Sequence, residues 1–225
     1  IRQPETFSQK PNMKKLLLLL LLPFVLGLTF KPTKLSITHN ELTFYLDSDT
    51  NSFLSVHKIK YNEYLKIDGV RSDKWHSEKY KGIYNKETYL HSGYDLGHLT
   101  PSNITSYDDS LNYHSFSLFN QAPQLAAFNR GKWAQLESNV EDSIGKYKSD
   151  ATIYTGVIYN NKKKTYLNKS KIKIPISYYK ILVIESKSLT YVWIGSNING
   201  EVIPIDIKKL NGILKLNQND MLFKD

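Results

Sequence analysis

Residues 36–46 (SITHNELTFYL) set β-branched and aromatic side chains in partial alternation with polar ones, and 53–59 (FLSVHKI) repeat the pattern, so both segments predict strands. Residues 60–94 are polar and aromatic with no clean period and predict a long connection with short elements. Residues 93–101 (GYDLGHLTP), bounded by Gly and Pro, predict a strand or hairpin arm, and the alternating 111–119 (LNYHSFSLF) another strand. Residues 129–145 differ. Trp133, Leu136, Val140 and Ile144 fall at i, i+3, i+7 and i+11, one face of a helix. Asn129 suits its N-cap and Gly145 the position just beyond its end. Strong strand patterns follow at 151–159 and 173–185. Residues 195–200 (GSNING) form a hairpin signal between 191–194 and 202–207, and 207–214 suit a short closing helix. Many strands with one strong helix place the chain in the α+β class.

The N-terminus follows another logic. Residues 13–27 (MKKLLLLLLLPFVLG) join two lysines to an apolar run, with Val25 and Gly27 as small residues before a cleavage point. This is the layout of a secretory signal peptide. The apolar run is shorter than the roughly 20 residues that span a bilayer; an uncleaved N-terminal anchor is the alternative. Residues 1–12 precede Met13 and are expected to be a non-native upstream stretch, which leaves 28–225 as a single domain. Its expected destination is secreted or periplasmic, with no stable membrane partner once the leader is cleaved.

Composition narrows the chemistry. The 225 residues carry 30 Lys+Arg against 21 Asp+Glu, a net charge of +9. Only Arg2, Arg71 and Arg130 are arginines. Removing 1–27 takes four bases (Arg2, Lys10, Lys14, Lys15) and one acid (Glu5), so the charge falls to +6 and the domain stays basic. A polyanion is the natural partner of such a surface, and plain solubility is the other use of it. The absence of Cys excludes disulfides, thiolate zinc sites and a cysteine nucleophile.

Residues 93–137 concentrate His, Asn, Asp and Glu beside Gly and Pro. His98 has a side chain suited to proton transfer near neutral pH, although a single strand histidine is more often structural; a nearby carbonyl or carboxylate could fix its tautomer. Asn120 and Asn129 offer neutral oxygens to a hard cation such as Mg²⁺, which keeps most of its waters. As loop and cap residues they have an equally ordinary use. Glu137 lies eight residues beyond Asn129, about 80° around an unbroken helix, so both can border one site.

GYDLGHLTPS, SLFNQAPQ and FNRGKWAQLE, in that order, resemble the signature of the DNA/RNA non-specific endonucleases: D-R-G-H-x-x-P, N-x-x-P-Q and N-x-G-x-W-x-x-L-E. The resemblance implies a ββα-metal nuclease core on a mainly antiparallel sheet. It implies a Mg²⁺-dependent (Mn²⁺ as substitute) hydrolase of DNA and RNA, with His98 as general base and Asn129 as metal ligand. Glu137 would hold a water of the ion, and Asn120 would orient the site. Two positions depart from the pattern. Leu96 stands where the family has Arg, so the resemblance implies that Leu96→Arg raises activity. No Arg follows Glu137, because Glu141 and Asp142 occupy that region. Arg71, in VRSDKW, resembles the family's upstream phosphate-contacting Arg, while Arg130 is expected to be solvated. His39, His57, His76, His91 and His114 match no catalytic position and are expected to be structural or superficial. The alternative to the nuclease is a nucleic-acid-binding relative that has lost strong cleavage; an adhesin for anionic surfaces rests on charge alone.

Overall fold

The computed structural model describes residues 36–47, 51–66, 71–77, 86–160, 162–217 and 223. The proposed leader lies outside them. Among the described residues no helix is long and apolar enough to cross a membrane.

Among the described residues nine strands form two sheets. The large one has the order β1 (Ser36–His39), β2 (Leu42–Leu46), β3 (Ser52–Ile59), β6 (Ala151–Ile158), β7 (Ser177–Ile184), β8 (Leu189–Ser196), β9 (Val202–Pro204), and every pairing is antiparallel. The smaller pairs β4 (Tyr94–His98) with β5 (Gln121–Leu125), also antiparallel. The α+β, mainly antiparallel expectation holds.

The large sheet is buried on both faces at its centre. Every residue of β6 and all but the first of β7 is buried or nearly so. Strand alternation then separates the two faces. Tyr178 meets Trp133 and Phe128 edge-on on one side. Tyr179 meets Phe223 on the other. Helix α1 (Tyr61–Tyr64) is a single turn after β3, and the main helix α4 (Ala134–Tyr147) lays Leu136, Val140 and Ile144 on the first face, as their spacing predicts. The C-terminal helix α5 (Ile207–Asn217) adds Leu210 and Leu214 to the same apolar core, and Asn211 clasps the Phe223 backbone through both of its amide atoms (2.7 and 2.9 Å).

Several expected boundaries move for local reasons. Residues 36–46 are a hairpin rather than one strand, turning at Asn40 in the left-handed region. Residues 111–119 are not a strand. Asp108 accepts from Leu111 N (2.8 Å) and caps helix α2 (Asp109–Ser115), which buries Leu111, Asn112 and Ser115 at helical spacing. Gly145 does not end the main helix; α4 runs on to Tyr147, and Lys148 takes the left-handed conformation instead. The strand expected over 173–185 begins only at Ser177, after Pro175.

Candidate active site

Strands β3 and β6 are neighbours in the large sheet, yet 91 residues of chain separate Ile59 from Ala151. That excursion carries β4, β5, α2 and the run into α4, and the sheet pins it down. Ser55 Oγ meets Thr100 Oγ1 at 2.7 Å, and Ser52 Oγ donates to Phe119 O at 2.7 Å. Tyr178 donates to Ala122 O (3.0 Å). Asn197, from the β8–β9 turn, donates to Pro123 O (3.0 Å) and accepts from Leu125 N (2.8 Å). Strand β5 is thereby fixed at both ends, and β4 with it.

His98 closes β4 opposite Gln121. Its ring lies 4.5 Å from that of Trp75 and edge-on to Phe116 at 4.9 Å. Nε2 is buried with no hydrogen-bond partner among the described residues, while the side chain as a whole is only half-buried. Desolvation, and then the positive charge of Arg71, push the imidazole down to about 3, against a smaller upward pull from Asp73. His98 is therefore neutral at physiological pH.

Arg71 packs over the same Phe116 ring, 5.2 Å from its centroid. It donates from Nε to Asp73 and from Nη1 to Ser102. The structure thus brings Arg71 and His98 to one aromatic platform. Asn120 is fully buried behind them. Its amide accepts from Thr100 N (2.9 Å) and donates to Thr100 O and Ser115 O (2.7 Å each). Its backbone carbonyl accepts from Leu99 N (2.8 Å). Both amide atoms of that side chain are used in holding the end of β4 against α2.

Asn129 is not the helix N-cap. Helix α3 (Ala126–Phe128) runs through a π-type turn, Asn129–Trp133, broken at Gly131, into α4. That break removes the regular 100° spacing between Asn129 and Glu137, so the angle of about 80° expected for an unbroken helix does not apply. Phe128 and Trp133 seat the turn on the sheet, close against Gly195, where an added Cβ would lie 2.6 Å from the Phe128 ring. Asn129 Nδ2 donates to Asp95 Oδ2 at 2.9 Å, so Oδ1 is the amide atom left to accept. Arg130 is not merely solvated. Its guanidinium grips Asp95 through Nε (2.9 Å) and Nη2 (2.7 Å). Burial alone would raise the Asp95 carboxyl; these two hydrogen-bond donors and the Arg130 charge outweigh it and hold it below the usual range. Asp95 therefore orients Asn129 and makes no contact that would fix the tautomer of His98.

Glu137 sits on α4 with Oε1 turned inward, 3.5 Å from Lys180 Nζ. Burial works against both charges, raising the carboxyl and lowering the ammonium, and their mutual attraction offsets part of each. Among the described residues no cluster of three His, Asp or Glu side chains suits a metal. An ion that keeps most of its waters needs no such cluster, and an amide oxygen with its nitrogen already committed is a fitting single ligand. Lys180 and the role of Asp95 were missed by sequence reasoning. The signal for Lys180 was a lone cation inside the apolar run SYYKILVI.

Leu96 lies in an apolar cluster of its own. It packs with Tyr94 and Ile174 against Tyr89, Leu167 and Ile172.

The sequence profile of the DNA/RNA non-specific endonucleases matches residues 28–217, and the chain belongs to that family. It is 25% identical over 146 residues to a salivary endonuclease of Lutzomyia longipalpis, covering 60% of this chain and 35% of that protein. To the mitochondrial endonuclease G of Bos taurus it is 26% identical over 137 residues, 55% of this chain and 46% of the relative. A nuclease of Nostoc sp. is 31% identical over 96 residues, 43% and 34% respectively. The chain thus spans between a third and a half of the length of these relatives. A solved chain from an EndoG/EndoGI complex superposes with a TM-score of 0.69 at 20% identity, covering 81% of this chain and 85% of that one, and shares the fold.

Proposed function

We propose that this protein is a metal-dependent endonuclease that hydrolyses phosphodiester bonds of DNA and RNA without strict sequence specificity. The observation that carries the reading is His98. It is a neutral imidazole at the end of a pinned strand, with Nε2 buried and its other edge open, beside Arg71 on a shared Phe116 ring. With its proton on Nε2, the ring offers Nδ1 to an attacking water. The water oxygen bonds to phosphorus as His98 takes its proton, the P–O3′ bond breaks, and the leaving 3′-oxygen takes a proton from solvent, so products carry 5′-phosphates and 3′-hydroxyls. Arg71 steadies the phosphate with its planar fork. Asn129 Oδ1 would hold Mg²⁺ or Mn²⁺, and the exposed part of Glu137 would accept from its hydration shell. Bound there, the ion would neutralise charge on the phosphate and the leaving 3′-oxygen. Asn120 holds His98 in place through Leu99 and Thr100.

Purified protein should nick supercoiled plasmid and degrade RNA with Mg²⁺, lose both activities in EDTA, and lose both in His98→Ala with an unchanged circular dichroism spectrum. Cleavage that survives EDTA would sink the metal assignment. One observation favours the binding-only alternative: the position of the family Arg is filled by an apolar, packed Leu96. Plasmid retarded in a gel but never nicked would decide for it. We also propose that residues 13–27 direct export, tested by the N-terminal sequence of the protein recovered outside the cell.

A further inference from the structure

The main sheet carries one buried cation directly under α4. Lys180 is 1% exposed at its side chain, in the middle of β7, flanked across the ladder by Thr155 and Trp193. Its ammonium has three neighbours. Thr155 Oγ1 accepts from it at 2.8 Å, the Trp133 ring lies 5.1 Å away, and Glu137 Oε1 lies 3.5 Å away. Nothing about the stability of a sheet calls for a lysine there. A buried ion pair is often no more stable than an apolar replacement of the same size. What the lysine does is directional. It draws one carboxylate oxygen of Glu137 into the protein while the side chain keeps 18% of its surface exposed. Glu141, one turn further along α4, also feels the Lys180 charge, and the two carboxylates repel one another. Trp133 also donates toward Glu137, but Lys180 is the positive charge beneath the two carboxylates.

We propose that Lys180 is a positioning residue that acts through Glu137, fixing its inner oxygen so that the outer one is aimed at the hydration shell of a divalent ion held by Asn129. This rests on the metal reading above, and the test separates the two. Mn²⁺ is titrated into substrate-free protein and followed by electron paramagnetic resonance, for wild type, Lys180→Met, Glu137→Gln, the double variant and Asn129→Ala. Lys180→Met should weaken Mn²⁺ binding about tenfold, the usual effect of losing a residue that orients a metal's surroundings. In the Glu137→Gln background the same substitution should change nothing. Undiminished binding in Lys180→Met, or an equal loss in both backgrounds, overturns the role of Lys180. Undiminished binding in Asn129→Ala overturns the metal reading itself. If Lys180→Met leaves Glu137 with an uncompensated charge and folds poorly, Lys180→Gln keeps a donor toward Glu137 and replaces it. Its affinity should fall between those of wild type and Glu137→Gln, and wild-type affinity there overturns the proposal.

Discussion

Asp95 shows how one side chain can decide the chemistry of another. An unrestrained asparagine presents either its oxygen or its nitrogen; Asp95 accepts from Nδ2 of Asn129 and so leaves Oδ1 as the atom able to accept or ligate. The same carboxylate binds Arg130 bidentately, which keeps it ionised. Leu96, its neighbour, faces a different environment. The family signature made Leu96→Arg look like a gain of positive charge near phosphate, but the packing against Tyr89, Leu167 and Ile172 turns the expectation around. Leu96→Arg should cost about 1–3 kcal/mol in urea unfolding and leave nicking no faster. A variant as stable as wild type would show that the guanidinium escapes the cluster.

Among the elements, the β4–β5 pair depends on a close approach. Gly97 faces Ala122 across the ladder, and a Cβ there would lie 2.3 Å from Gln124 Oε1 and 2.5 Å from Gln124 Cβ. The second contact is near the backbone and cannot swing away. Gly97→Ala should therefore destabilise by about 1–3 kcal/mol and displace His98, seen as a lower urea midpoint with a larger fractional loss of nicking than of folded protein. The reverse order, full nicking at reduced stability, would mean that the pair does not set the position of His98. The elements best read in advance were those with long, regular periods: the helix with its Trp133, Leu136, Val140 and Ile144 stripe and the apolar strands of the sheet centre. The short α2 was misread because alternation over a few residues fits a strand and a capped helical turn almost equally, and the Asp108 cap decides between them.

At the scale of the whole molecule, several ionisable groups are built into the interior. His57 is fully buried against Tyr107 at 3.1 Å, and desolvation pushes it down to about 3. Unfolded, it would titrate near 6.5. The native state therefore binds fewer protons than the unfolded one between those values, and its stability falls as pH drops from about 6.5 toward 3. Glu141 works the other way: burial and the charge of Glu137 raise it to about 7, so its contribution is lost as pH rises through the range from 4.5 to 7. Between pH 6.5 and 4 the melting temperature of His57→Gln should drop less steeply than that of wild type in a calorimeter; parallel curves would mean that His57 charges without unfolding the protein.

The sequence alone determined the class and the candidate site residues. His98, Asn120, Asn129 and Glu137 fall in three short segments whose residue types and spacings are dictated locally, by a strand end, a loop amide and a helix face. The tertiary structure decided what those groups face. That Asn120 spends both amide atoms on the backbone, that Asp95 reaches Asn129 and Arg130, that Leu96 packs against Tyr89 and Leu167, and that Lys180 lies under Glu137 all follow from distant chain segments meeting in the folded core. Local periodicity carries no record of such meetings, because the free energy that selects them comes from burying the two sides together.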